Sequence, residues 1–199
     1  MYAYLEGNVT ELNPACAVID CAGVGYEVNI SLTTYSAIKD KQRVRLQTVH
    51  IVREDAQLLF GFYTIEEKKM FLLLISVSGI GANTARTILS AFDAVEVGRA
   101  IVNGDAKKIQ SVKGIGAKTA ERVIIDLRDK VNTELLASAY ELDGTKTPSI
   151  KSASKDEALA ALITLGYPKN ASEKILDKIL LSNSEYNSEE LIKQALRLL

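Results

Sequence analysis

The chain has 199 residues, a formal net charge of -1 at pH 7 and 47% hydrophobic residues. This length allows one to three domains, and the hydrophobic content is sufficient for packed cores. The near-neutral charge excludes a uniformly basic protein, so any anion-binding surface must be local. Residues 65–140 hold 11 Lys/Arg against 9 Asp/Glu, whereas residues 1–64 hold 5 against 7.

The cysteines, the single histidine and the hydropathy limit the location and chemistry of the protein. Cys16 and Cys21 are five residues apart in one predicted strand, so they lie on opposite faces and are expected to be reduced thiols. With His50 as the only histidine, neither a zinc site nor another cofactor is expected. The longest apolar run, 70–75, is too short to span a bilayer, and no targeting segment is apparent. We therefore expect a cytoplasmic protein without membrane contact.

The first 64 residues carry the signals of a small β-barrel. Apolar alternation and turn residues predict five strands with a short helix near 33–39 after the third strand. This order suits a closed barrel of the oligonucleotide/oligosaccharide-binding (OB) type. The aromatic residues do not gather on one face, so binding by base stacking is not expected. The predicted strands are 2–9, 15–21, 24–30, 44–52 and 57–63.

An acidic turn, Arg53-Glu54-Asp55-Ala56, joins the last two predicted strands. Most such turns are solvated hairpin tips. Two adjacent carboxylates would also repel phosphates, and they could discriminate against an uninterrupted DNA duplex. The residues alone leave both interpretations open.

A repeated Gly-Ile-Gly turn organises the middle of the chain. ISVSGIGANTARTIL at 75–89 and QSVKGIGAKTAERVI at 110–124 are identical at eight of fifteen positions. Each copy predicts a helix, a turn and a second helix. The glycines of the turn allow φ > 0, and its isoleucine is expected to point inward. The first amides of the second helix can hold a phosphate. One copy alone would equally suit an ordinary tight turn between packed helices.

Two copies, with cations around the second turn, favour the tandem helix-hairpin-helix motif, which the pattern resembles. Such a module binds DNA by its phosphates without reading sequence. The candidate DNA-binding residues are Gly79, Gly81, Ala82, Asn83, Thr84, Lys113, Gly114, Gly116, Ala117, Lys118, Thr119 and Arg122.

Helix signals delimit the rest of this region. Asp93 and Asp105 are predicted N-caps, and Asn103-Gly104 is a predicted helix end. An apolar, buried helix is expected at 65–77, and a long amphipathic helix at 119–136 with Val123, Ile124, Leu127 and Val131 on its buried side.

An enzymatic role is not expected. Related glycosylases place a catalytic Asp downstream of a hairpin. Here the candidates, Asp126 and Asp129, lie within a continuous helix and have no companion Lys or Cys cluster. The chain also has no phosphate-binding loop of an ATPase, so ATP-driven work would come from a partner.

The carboxy-terminal part predicts a tethered bundle. Residues 138–154 are polar, contain Gly144 and Pro148, and are expected to form a flexible linker. Capping signals at Ser154, Asn170 and Ser188 predict three short helices in 155–199. Leu159 and Ile163 are expected in the bundle core, whereas other apolar residues exceed what so small a core needs and suggest a docking surface.

Three motifs together resemble the RuvA family of Holliday-junction-binding subunits. They are HIVREDAQLLFGF at 50–62, the two Gly-Ile-Gly hairpins and ALITLGYPKNAS at 161–172, and they cover nearly the whole chain except the linker. The resemblance implies an α+β multidomain protein: an OB-type barrel at 1–64, a tandem helix-hairpin-helix domain at 65–137, the linker and a three-helix domain at 155–199. One departure is Asn83 in the first hairpin, where the second has Lys118, so the first is expected to rely more on backbone amides.

The resemblance also implies function. Glu54 and Asp55 would form an acidic pin at the centre of a homotetramer, or of an octamer, that holds a four-way DNA junction open. Leu162, Leu165 and Tyr167 would contact a RuvB-type hexameric AAA+ ATPase. The subunit itself would be non-catalytic and would serve branch migration in recombination, DNA repair and the SOS response, with a junction-resolving nuclease in the wider complex. The alternative is a monomeric binder of single-stranded or duplex DNA without a motor partner.

Overall fold

The computed structural model describes residues 2–142, 150–182 and 186–198. The chain forms two compact units, Met1–Ala139 and Tyr140–Leu199. The first unit contains a closed five-stranded barrel followed by helices, and the second contains the last three helices. The predicted α+β fold, with a barrel followed by helical parts, is confirmed.

The barrel is of the predicted OB type. It consists of β1 (Tyr4–Asn13), β2 (Cys16–Cys21), β3 (Val24–Ile30), β4 (Arg43–Val52) and β5 (Gln57–Phe62), with helix α1 (Leu32–Ile38) between β3 and β4. The strands close in the order β1-β2-β3-β5-β4. β3 pairs with β5 in parallel, and the other neighbours pair antiparallel. The short helix after the third strand is the feature that the sequence predicted.

Alternate strand residues fill the interior of the barrel. Ile19, Val28 and Leu46 are fully buried, as the period of two along a strand requires. Gly61 permits close packing, because a Cβ there would lie 2.5 Å from Cγ1 of Val28. Both cysteines are free thiols, as predicted.

Five helices follow the barrel: α2 (Ile65–Ile75), α3 (Ala82–Ala91), α4 (Ala94–Asn103), α5 (Ala106–Gln110) and α6 (Ala117–Leu142). The predicted start and stop signals of α4 and α5 are confirmed. Asp93 forms a capping box with Glu96, Gly104 ends α4 with φ 72°, and Asp105 caps α5.

The barrel and these helices share a hydrophobic core. The ring of Phe71 in α2 lies 5.1 Å from that of Phe60 and 4.8 Å from that of Phe62, both on β5. Only one face of α2 makes this contact, so Ile65 and Leu72 are exposed. The prediction of a buried helix at 65–77 is therefore wrong for the exposed face, and the helix ends at Ile75 rather than at residue 77.

The long helix α6 has the predicted buried side. Val123, Ile124, Leu127 and Val131 all lie in the core of the first unit. The helix begins two residues earlier than predicted and is described as far as Leu142, within the predicted linker. The sequence pattern found its apolar stripe but not its full length.

The second unit is a three-helix bundle of α7 (Ile150–Thr164), α8 (Lys169–Ser182) and α9 (Ser188–Leu198). Helix α7 begins four residues before the predicted cap at Ser154. The predicted linker is thus helical at both ends, and residues 143–149 lie outside the described part of the chain. Gly166, with φ 96°, follows the end of α7.

Candidate nucleic-acid interface

The first turn, residues 76–81, joins α2 to α3 in a compact hairpin. The N–H of Val77 donates to the carbonyl of Leu74 at 3.1 Å, and the N–H of Ile80 donates to that of Val77 at 3.0 Å. The Ile80 side chain is buried and pins the turn to the core. Gly79 has φ 95°, a left-handed conformation that favours glycine.

The second turn, residues 111–116, joins α5 to α6 with the same bonds 35 residues later. The N–H of Val112 donates to the carbonyl of Ile109 at 3.3 Å, and the N–H of Ile115 donates to that of Val112 at 3.1 Å. Ile115 is buried, and Gly114 has φ 94°. The sequence repeat is therefore a repeat of backbone geometry.

The two turns lie side by side. A Cβ built on Gly79 would be 3.8 Å from the Thr119 side chain of α6. Nη1 of Arg122, one turn further along α6, donates to the carbonyl of Ser78 at 3.4 Å. The second hairpin thus contacts the first turn directly.

Each turn exposes the start of a helix. Gly81 and Gly116 are exposed, and a Cβ on either would meet nothing within 4 Å. Gly81 is the N-cap of α3 and provides no side-chain acceptor. The first amides of this helix are free of a side-chain cap and carry the positive end of the helix dipole, which is an arrangement suited to binding a phosphate.

The cations predicted to support phosphate binding surround the second turn. Lys113, Lys118 and Arg122 are exposed, and within the described residues neither lysine forms an ion pair. At the first turn the position equivalent to Lys118 is the exposed Asn83. The positive charge around the two turns is therefore concentrated on the second hairpin.

The structure places the twelve candidate residues around the two turns, with unequal access. The side chain of Ala82 is buried, so this residue could offer only its backbone amide. Thr84 and Thr119 are half-buried, whereas Gly79, Gly114 and Ala117 are exposed. Their binding to DNA stays a prediction.

The acidic turn, residues 53–56, closes the β4–β5 hairpin. The N–H of Arg53 donates to the carbonyl of Ala56 at 2.8 Å. Glu54 and Asp55 are exposed at the tip, and among the described residues neither carboxylate forms an ion pair. The two charges are thus presented to solvent, which is the geometry that repulsion of a phosphate backbone requires.

Two residues that hold the hairpins on the barrel escaped the sequence analysis. Arg86 of α3 donates to the barrel, and the buried carboxylate of Glu67 in α2 accepts from the hydroxyls of Ser31 and Thr34. Burial is the main cause that raises the pKa of Glu67, and these hydrogen bonds oppose it. Their partners are 33 or more residues away in the chain. Neither residue has a distinguishing local signal, because Glu67 is one of four consecutive charged residues, 66–69, at the start of α2.

The predicted docking patch of the second unit needs a correction. Leu162 is fully buried, because it packs with Ala158 and Leu176 in the bundle core, so the expectation of an exposed Leu162 is wrong. Ile163, expected in the core, is instead 43% exposed, and Leu165 is 59% exposed. Tyr167 is half-buried. The accessible apolar residues here are Ile163 and Leu165.

The residues that the structure describes show no cluster of three or more His, Cys, Asp or Glu side chains that could hold a metal ion. Among these residues, no helix has both the length and the apolar character needed to cross a bilayer.

The fold and the paired turns define the class of tandem helix-hairpin-helix proteins, here carried on an OB-type barrel. Family comparisons agree in each part: residues 1–61 match the RuvA N terminal domain, residues 71–129 match the SAM-like helix-hairpin-helix tandem, and residues 154–199 match the RuvA C-terminal domain.

Full-length relatives identify the family. The "Holliday junction branch migration complex subunit RuvA" of Cytophaga hutchinsonii is 46% identical over 199 residues, which is 100% of both chains. Proteins with the same name from Flavobacterium psychrophilum (47% identical) and Bacteroides fragilis (46% identical) match over 99% of both chains. The chain belongs to the RuvA family.

Proposed function

We propose that this chain binds four-way DNA junctions by their shape, as a homotetramer or octamer, and recruits a hexameric ATPase that drives branch migration. The observation that carries the proposal is the pair of equivalent turns, packed side by side, with exposed glycines and helix N-termini. The names of its relatives, which call them branch migration complex subunits that act on Holliday junctions, support the same conclusion.

The turns would hold DNA by its phosphates. Backbone amides and lysines contact phosphate oxygens that are the same for every base sequence, so binding should be independent of sequence. The small net charge of the chain argues against non-specific attraction to DNA over the whole surface. Affinity would therefore depend on how many DNA arms reach the turns at once.

The acidic turn would supply the preference for a junction. In the proposed tetramer, four copies of Glu54 and Asp55 meet where the DNA arms diverge. There the carboxylates oppose phosphates at the crossover and keep the strands apart. A continuous duplex would have to pass its backbone across these charges, which costs electrostatic free energy.

The second unit would dock the motor. Its exposed Ile163 and Leu165, together with Tyr167, provide apolar surface that suits contact with the RuvB-type ATPase. The subunit would remain non-catalytic and cytoplasmic, and a junction-resolving nuclease would act in the wider complex.

The rival function is a general DNA-binding module, monomeric and without a motor. A competition titration separates the two: the full chain is offered a four-way junction and a linear duplex with the same arm sequences, at several salt concentrations. Strong preference for the junction with a steep salt slope supports the proposal. Equal affinity for both DNAs would be compatible with phosphate binding by the turns, but it would contradict recognition of the junction.

The acidic turn has its own test. The double variant E54Q/D55N should lose much of the preference for the junction, because affinity for plain duplex rises when the repulsion is removed. The matched control is E11Q/E27Q, which removes two exposed carboxylates elsewhere on the barrel. An unchanged preference in E54Q/D55N would contradict the role of the pin.

The mass of the free protein in solution is a further check. Light scattering should give four or eight times the chain mass of 21.7 kDa. A monomer at the concentrations of the binding assay would favour the rival function.

A further inference from the structure

We infer that Arg86 is a positioning residue, which fixes the distance between the phosphate-binding turns and the acidic turn rather than binding DNA itself. The inference deepens the proposed function and rests on it.

Arg86 ties the middle of α3 to the barrel. Its Nη1 donates to the carbonyl of Ala15 and to Oδ1 of Asn29, each at 3.0 Å. Asn29 in turn donates from Nδ2 to the carbonyl of Leu59 at 3.3 Å, so the bonds connect α3 to β3 and β5. A guanidinium with two acceptors in fixed directions orients a helix better than a single lysine amine could.

A second contact holds the carboxyl end of the same helix. Oγ1 of Thr33 donates to the carbonyl of Leu89 at 2.7 Å, and the N–H of Leu32 donates to Oγ of Ser90 at 3.1 Å. These contacts at its middle and its end oppose rotation of α3 on the barrel. The position of its N-terminus, where the first turn lies, is therefore set as well.

Contacts between the two hairpins fix the second hairpin relative to the first turn. Arg122 donates to the carbonyl of Ser78, and Thr119 packs beside Gly79. A continuous series of contacts thus leads from the barrel, which carries the acidic turn, through Arg86 to both phosphate-binding turns.

This arrangement should affect the binding of a linear duplex and the binding of a junction differently. A linear duplex is attracted by the turns alone and is opposed by the acidic turn in any case, so small changes in where the turns sit on the barrel should alter its affinity little. A junction needs the turns and the acidic turn at a fixed separation, since a misplacement would bring carboxylates against phosphates. Loss of the Arg86 contact should therefore affect the junction more than the duplex.

The test uses the full chain with R86A, its partner variant N29A and the control T87A. Thr87 neighbours Arg86 on α3 and is exposed, and its hydroxyl donates to the carbonyl of Asn83 in the same helix. Competition titrations with the junction and the linear duplex are run well below each melting temperature. We expect R86A and N29A each to reduce the preference for the junction by about tenfold, with duplex affinity within about twofold of the parent chain. T87A should change neither.

Other results would overturn the inference. Equal loss of affinity for both DNAs in R86A, with N29A unaffected, would make Arg86 a direct DNA contact. A lower melting temperature with unchanged preference would make it a purely structural residue. If the parent chain itself shows no junction preference, the proposed function fails, and the positioning role fails with it.

Discussion

The two hairpins share one backbone and differ in what their side chains do. Both turns have the same hydrogen bonds and the same left-handed glycine. The first has no lysine at the turn, and the arginine of its second helix, Arg86, contacts the barrel. The second presents Lys113 and Lys118 to solvent. The two turns therefore share the backbone shape that we propose binds phosphate. Their side chains differ, because those of the first hairpin attach it to the barrel and those of the second provide exposed positive charge.

The largest difference between the hairpins in DNA affinity is expected from the lysines of the second. K113A/K118A removes both lysines around the second turn. It should weaken junction binding by about 100-fold or more at physiological salt, with a shallower salt slope, because each copy in the proposed tetramer would lose phosphate contacts. The measurement is the affinity over a range of salt concentrations.

S78A/N83A is the matched control, since it changes the equivalent positions of the first turn. It should weaken binding by less than about threefold. Comparable losses in the two double variants would contradict the division between the hairpins.

The backbone shared by both turns is tested at the glycines of the first. G79A places a Cβ at φ 95° and should destabilise the first unit by about 1–2 kcal/mol in urea unfolding. G81S has room for its side chain and should leave stability unchanged or slightly higher, because serine is a preferred N-cap.

The same G81S variant should weaken DNA binding by about 3- to 10-fold, since its hydroxyl would accept from the amides that we propose meet a phosphate. Undiminished binding by G81S would mean that the amides at the start of α3 are not used.

A lysine at the start of α3 should reduce the difference in charge between the hairpins. N83K gives the first turn the cation that the second has in Lys118. We expect about 3- to 10-fold tighter junction binding and a salt slope steeper by about 0.9 for each added phosphate contact. N83Q, of similar length but neutral, is the control, and equal effects of both would exclude a charge contribution.

The smallest expected effect concerns the buried carboxyl group of Glu67, which connects α2 of the first hairpin to the barrel. Burial raises the pKa of Glu67 above its ordinary value of 4.5. The folded state then holds its proton more tightly than the unfolded state does, so this contribution to stability is fully present below pH 4.5 and is lost as the pH rises through the raised pKa.

E67Q should therefore show a flatter dependence of the free energy of unfolding on pH above 4.5 than the parent chain does. E66Q changes the exposed neighbour on α2 and should keep the parent's dependence. Identical curves for E67Q and the parent chain would contradict the role of the buried carboxyl.

The sequence predicted what depends on local pattern. Strand alternation and turn residues were sufficient for the number and approximate positions of the barrel strands, and the repeat was sufficient for both turns, because each is determined by residues within a short window. Caps such as Asp93 were equally predictable, since the capping carboxylate and the amide it accepts from are three residues apart.

Contacts between distant segments were not predictable. Arg86 and Asn29 are 57 residues apart, and no local pattern marks them as partners. Leu162 and Ile163 were assigned to the wrong sides of α7, because a small bundle offers several apolar faces and only packing decides which one is buried. The ends of α6 and α7 extend into a polar stretch that composition alone made look like linker.

The bond between Arg122 and the carbonyl of Ser78 also has a thermodynamic consequence. Because it forms when the chain folds, the spacing of the two turns is already set before DNA arrives, and little conformational freedom remains to be lost on binding. The entropy change of association should then come chiefly from counterions released by the phosphates. In calorimetry, the paired turns should behave as a preorganised rigid body, with a binding entropy that becomes less favourable as the salt concentration rises.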